Sequence, residues 1–194
     1  MLFTAVRLLS AAGIAEEASE LEEATSVVRE LSRSLSIDEA AQNNPAKALA
    51  LRLSARLPVV YASRLTRSAA IRFKDSVNEN AKARAVVEVL PELCHNEVVT
   101  WDAPPDVPTS TIFLRFEGEP RYVEVRFGAL ASIIERAGHE PIELRGEGTG
   151  FIAQILSLIY LLDYTSIYLA VLRGVNPLPT RAIDEIKRLL YRRK

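Results

Sequence analysis

An α/β fold, a doubly wound parallel sheet flanked by helices and preceded by N-terminal helices, is predicted by three observations. From Pro45 onward, short apolar runs with strand character alternate with longer segments of helical spacing; that alternation builds a parallel sheet covered on both faces. Of the 194 residues, 48% are apolar, enough to bury such a sheet in one domain with an appendage. Ahead of Pro45, residues 1–44 show only helical periodicity.

The elements follow in order. "LFTAVRLLSAA" and "ASELEEATSVVRELSRSL" are two amphipathic helices separated by a turn near Gly13. In "NNPAKALALRLSARL", Asn44 is placed to cap a helix and Pro45 to occupy its first position, where a missing amide proton costs nothing. "PVVYAS" is a short buried strand. A turn containing Ser63, Thr66 and Ser68 then leads into a helix running toward Lys82. "EVVTWD" and "TSTIFLRF" are expected as the next strands. "PRYVEVRFGALASIIERAG" is mostly helix, although its first residues also alternate as a strand would. "PIELRG" is a strand, and "FIAQILSLIYLLDYTSIYLAVL" and "PTRAIDEIKRLLYRR" are the last helices. "DAPPDVP" is a rigid loop between strands, and no internal repeat is present.

Composition excludes several function classes. Twenty-four positive against 25 negative side chains leave no global field for a polyanion, so nucleic acid is not an expected partner despite the basic "YRRK" end. The single cysteine, Cys94, cannot form an internal disulfide or a thiol-clustered metal site, which fits a reducing compartment, the cytoplasm. At the start, Arg7 interrupts the apolar run, so the segment is expected to be a helix and not a secretory signal. Phe151–Leu172 is long enough to cross a bilayer. Asp163 in its middle argues against lipid and for a helix buried in protein, with the apolar surplus at a subunit interface.

Some residues stand out chemically. The Ser63/Thr66/Ser68 turn sits where ligands collect in a doubly wound sheet and opens a helix whose free amides attract anions, although hydroxyls there also serve as caps. "GEGTG", 146–150, lacks dinucleotide-fingerprint spacing and is expected to be a flexible lead into the long helix. Glu79 belongs near a helix C-terminus, where the dipole opposes its charge; by its surroundings alone it is equally a solvated surface glutamate, with Asn78, Asn80 and Lys82 as its candidate partners. His95 is expected at the start of a strand. Cys94 and His95 do not form a nucleophile pair, because consecutive side chains of an extended chain point apart. No metal-ligand spacing occurs, and His139 is expected as a solvent-facing cap after a helix.

"RFKDSVNENAKARAVVEVLPELCHNEVVTWD" followed by "DYTSIYLAVLRGVNPLPTRAIDEIKRLL" resembles the C-terminal half of archaeal-type bifunctional phosphoglucose/phosphomannose isomerases, members of the sugar isomerase (SIS) domain superfamily. The resemblance runs from about Pro45 to the C-terminus, and the order of "NENAK", "LPEL.HNE" and "DY.S.YLA" is more specific than any one motif. It implies a C-terminal SIS domain over 45–194. Residues 1–44 would then be the helical end of a first SIS domain with its linker helix. It also implies interconversion of glucose 6-phosphate or mannose 6-phosphate with fructose 6-phosphate, a step of glycolysis and gluconeogenesis, without metal or organic cofactor. By resemblance Glu79 is the base that moves a proton through an enediolate, and His95 and Lys187 open the sugar ring. Thr180 makes room for either epimer at C2. The family is dimeric, with the histidine entering from the neighbouring subunit. Cys94 stands where the family commonly has asparagine.

A complete family enzyme carries a first SIS domain with a Ser/Thr-rich phosphate loop and an arginine for the enediolate. Residues matching these are not found here, so a separate N-terminal half is an expected partner. Three functions follow: an isomerase half-enzyme, a non-catalytic phosphosugar-binding module that regulates a partner, or a scaffold that merely dimerises and leaves Glu79, His95, Thr180 and Lys187 unexplained. Retention of these four together favours the first, since a sensor needs neither a base nor a ring-opening pair.

Overall fold

The computed structural model describes residues 18–191 together with Thr4, Leu8, Ser10 and Ala11; the first expected helix, over 2–12, lies largely outside them. Helices α1 (Ala18–Ser34) and α2 (Pro45–Leu53) precede strand β1 (Leu57–Ala62). Then come α3 (Arg67–Asn80), β2 (Val86–Val89), two 3-10 turns (Glu92–Cys94 and Glu97–Asp102), β3 (Thr109–Arg115) and α4 (Arg121–Arg136). Strand β4 (Ile142–Arg145), α5 (Phe151–Leu172) and α6 (Arg181–Tyr191) complete the chain. The four strands are parallel in the order β2-β1-β3-β4, an α/β sheet with helices on both faces.

Alternate residues of the central strands feed two cores, which is why "LPVVYA" reads as one continuous apolar run. Val60, Ala62, Ile112 and Leu114 meet α2, α3 and α5 on one face. On the other, Val59, Tyr61 and Phe113 meet α4 and the 3-10 segments, with Phe113 5.7 Å from the Tyr61 ring and 5.1 Å from Phe127, an aromatic spacing that adds to simple burial. Helix α1 lies outside this frame, pressing Leu31 and Leu35 onto Tyr160, Tyr164 and Tyr168 of α5.

Local chemistry sets the helix ends. As expected, Asn44 Oδ1 accepts from Lys47 N at 3.0 Å and Pro45 opens α2. The lead into α5 is not a flexible segment: the Glu23 carboxylate accepts from Thr149 N (2.6 Å), Thr149 Oγ1 (2.8 Å) and Gly150 N (3.0 Å). These bonds hold the carboxyl below its ordinary range, and a side chain from α1 thereby caps α5. Helix α5 is a core helix packed on α1, α2 and α3. Its Asp163 accepts Arg72 Nε and Nη2 at 3.0 and 2.9 Å and Ser76 Oγ at 2.6 Å, so the carboxylate inside the apolar run is matched by α3.

Three expectations fail. "EVVTWD" is a 3-10 segment and not a strand, because Asn96 Oδ1 accepts Glu97 N (2.7 Å) and Thr100 Oγ1 donates to Glu97 O (2.7 Å), local bonds that wind the backbone while Val98 and Trp101 pack inward. The edge strand is instead the short, half-buried β2, hidden in sequence by the flanking "AKARA". His95 consequently does not begin a strand but sits between the two 3-10 turns beyond β2, and His139 is no solvent-facing cap: its half-buried ring lies 5.3 Å from Trp101.

Candidate active site

Helix α3 ends at Asn80, and the residue after its cap, Lys82, adopts a left-handed backbone with φ 52°, a common way to terminate a helix. That turn aims the Lys82 ammonium back at the helix end, where it donates to the Glu79 carbonyl and, at 3.1 Å, to the Pro177 carbonyl. A cation on the terminal carbonyls complements the helix dipole. Arg173, just past α5, donates from Nε to Ala81 O at 2.9 Å. Together the two cations fasten the end of α3 to the segment joining α5 and α6.

Between these parts lies an open hollow of about 510 Å³ whose wall includes Asn78, Glu79, Lys82, Asn176, Thr180 and Ile183. Glu79 and Thr180, remote in sequence, share it. The Glu79 side chain is exposed, and its carboxylate has no hydrogen-bond or ion-pair partner among the described residues. The expected partners are otherwise engaged: Asn78 Nδ2 donates to Ala83 O (2.7 Å), Asn80 Nδ2 to Ser166 Oγ (2.8 Å), and Lys82 bonds carbonyls. A carboxylate left free at an open hollow can accept a proton from a bound carbon acid.

The other two residues stand elsewhere. Lys187 is one helical turn beyond Ile183 on the same face of α6, outside the hollow's wall. All of α6 is exposed, including Ile183, Ile186, Leu189 and Leu190. His95 is exposed in the segment packed on the opposite face of the sheet from α3, so one chain does not bring it to Glu79. Burial raises the Cys94 thiol above its ordinary value, a direction opposite to that of an activated thiol.

The Ser63–Thr66 turn is closed on itself. Thr66 Oγ1 accepts Ser63 N (3.0 Å) and donates to Leu114 O (3.1 Å), while Ser63 Oγ accepts Thr66 N (3.3 Å). The Ser63 and Thr66 hydroxyls thereby tie the end of β1 to β3, Thr66 does not cap α3 through its side chain, and Ser68 is exposed. Sequence reasoning missed Arg173, whose signal was a basic residue at a helix C-terminus.

Known proteins resemble this chain in sequence and fold. The chain is 34% identical over 95% of its length to a bifunctional phosphoglucose/phosphomannose isomerase of Aquifex aeolicus, covering 55% of that protein. It is 30% identical over 88% of its length to the enzyme of the same name from Caldicellulosiruptor bescii, covering 51%. The chain thus spans about half the length of the curated relatives it matches. In fold it is similar to a glucose-6-phosphate isomerase like protein from Thermus thermophilus, with a TM-score of 0.74 at 24% identity, covering 93% of this chain and 59% of that one. Residues 42–190 match the family described as the bacterial phospho-glucose isomerase C-terminal SIS domain, and the chain belongs to that family.

Proposed function

We propose that this chain is the C-terminal part of a sugar-phosphate aldose-ketose isomerase acting on glucose 6-phosphate or mannose 6-phosphate to form fructose 6-phosphate. The observation that carries the reading is the shared hollow of Glu79 and Thr180, with a carboxylate that no other described residue engages. Glu79 takes the proton from C2 of the open-chain aldose, the enediolate forms, and the same carboxyl returns a proton to C1 while the hydroxyl proton on O2 passes to O1. Thr180, on the wall of the same hollow, leaves room for either C2 epimer. Residues 45–194 are the C-terminal SIS domain, and residues 1–44 are the end of a first one with its linker helix.

The positions of His95 and Lys187 fit an assembled enzyme. A histidine on the far face of the sheet serves the site of a second copy in a homodimer, and Lys187 reaches the hollow's rim as α6 docks its apolar side. Together they move the proton between ring oxygen and anomeric hydroxyl that opens the sugar. Exposed Ile167, Val171 and Leu172 of α5 and Ile186 and Leu189 of α6 supply apolar area for that assembly. A separate N-terminal half brings the phosphate loop and the enediolate-stabilising arginine. The reading requires no cofactor and a cytoplasmic enzyme of glycolysis and gluconeogenesis.

Mixing the chain with the N-terminal half of the Aquifex aeolicus enzyme tests it. The chain alone should convert little or no glucose 6-phosphate, since remote phosphate binding orients the sugar, and the mixture should produce fructose 6-phosphate. Full activity of the chain alone refutes the division of labour; phosphosugar binding by the mixture without conversion leaves the regulatory module.

A further inference from the structure

A second cavity, of about 460 Å³, opens at the amino edge of the sheet, between the end of α2, the first residues of β3 and the α4–β4 turn. Arg52, Arg56, Trp101, Thr109, Thr111 and His139 are on its wall. It shares no residue with the hollow around Glu79. Arg56 Nη1 donates to the Thr109 carbonyl at 3.0 Å, which steadies the guanidinium without neutralising it. The Arg52 guanidinium has no hydrogen-bond or ion-pair partner among the described residues, while its carbonyl is fixed by Ser110 Oγ at 3.3 Å. Glu140 is the one carboxylate on the wall among the described residues, so two guanidiniums outnumber it.

The rest of the wall is suited to a hydroxylated body. Trp101 is oriented by its Nε1 donating to Tyr61 Oη at 3.0 Å and by the His139 ring at 5.3 Å. The hydroxyls of Thr109 and Thr111 make no hydrogen bond to another described side chain. An adjoining cavity of about 440 Å³ beneath the proline-rich loop shares Trp101, Thr109 and Thr111 with the first, so there is room beyond the arginines. Guanidinium forks match phosphate oxygens, and hydroxyls with a fixed aromatic face match a polyol.

We propose that this cavity binds a phosphomonoester, with its phosphate at Arg52 and Arg56 and its hydroxylated body along Thr109, Thr111 and Trp101. It is a site additional to the isomerase centre and stands whether or not that reading holds. Trp101 is the only tryptophan of the chain, so its emission reports on the cavity directly.

Titrating the full chain with glucose 6-phosphate at constant ionic strength should give a saturable change in Trp101 emission, and glucose should give none. Arg52→Gln should raise the midpoint about tenfold, the order expected for one lost charge-assisted hydrogen bond. Arg52→Lys, keeping the charge without the fork, should fall between. Arg52 is exposed, with no side-chain bond to another described residue to break, and circular dichroism checks that each variant folds. Glu79→Gln should leave the midpoint unchanged. No saturable change, an equal response to glucose, an Arg52→Gln or Arg52→Lys midpoint equal to that of the unaltered chain, or a response lost in Glu79→Gln would each overturn the proposal. Absence of isomerase activity after mixing with the N-terminal half overturns the proposed function and not this site.

Discussion

Removing the Asp163 carboxylate should destabilise the chain by about 2 kcal/mol. The Ser76 bond to it is 2.6 Å long, and Ser76 is 6% exposed, so a hydrogen bond to a charged acceptor is lost there, typically about 1.5–3 kcal/mol. Arg72 contributes less despite its two-pronged geometry, because its side chain is 59% exposed against 27% for Asp163, and exposed pairs yield about 0.2–1 kcal/mol. Loss of the serine's acceptor therefore dominates, and the small apolar gain from Asp163→Ala offsets part of the sum. Asp163→Asn retains an acceptor for Ser76 and should cost about half as much. Urea unfolding by circular dichroism reads these differences as midpoint shifts at constant slope. In a double-mutant cycle, Asp163→Ala and Ser76→Ala should couple by about 1 kcal/mol or more. An unchanged midpoint in Asp163→Ala, or zero coupling, refutes the argument that α3 is what makes a carboxylate tolerable inside α5.

Other expectations are equally specific. Backbone and side-chain bonds from Thr149, then the Gly150 amide, depress the Glu23 carboxyl below 4.5; its contribution is therefore complete above about pH 4.5 and lost as pH falls through the lower folded value, so Glu23→Gln should flatten the acid limb of the stability curve. Tyr61 is fully buried between Trp101 and Glu97, donating to Glu97 Oε1 at 3.1 Å; Tyr61→Phe should cost about 1–2 kcal/mol in urea titration and shift Trp101 emission. A Cβ at Gly146 would lie 2.5 Å from the Gln154 carbonyl oxygen, so Gly146→Ala should destabilise by about 2–3 kcal/mol, read as a lower melting temperature. In the assembled enzyme, Glu79→Gln should lower turnover by about a hundredfold or more and abolish solvent deuterium exchange at C2, whereas His95→Ala should impair closed-ring substrate more than that exchange. Sedimentation equilibrium should show two chains per particle, and a monomer would sink the homodimer.

Much of the fold was legible because its signals are local. "LPVVYA" is a buried central strand because both its faces are covered, Asn44-Pro45 starts a helix through one side-chain bond and one ring, and the charge of Asp163 argues against a lipid-facing reading of α5. The motif order around Glu79, His95 and Thr180 pointed to the family for a similar reason, since residue types at short spacing survive without knowledge of the fold. Tertiary structure decided the rest. "EVVTWD" has strand-forming residues, yet the path from β2 to β3 crosses the face covered by α4, and Asn96 and Thr100 bonds wind it into a 3-10 turn. Glu23 and Thr149 meet only because α1 packs beside α5, so no sequence window could reveal that cap. Glu79 and Thr180 share a hollow because Lys82 and Arg173 clasp two helix ends, and His95 is held away from them by the thickness of the sheet. Periodicity and capping are properties of a few consecutive residues; proximity across the sheet is a property of how the helices close over it.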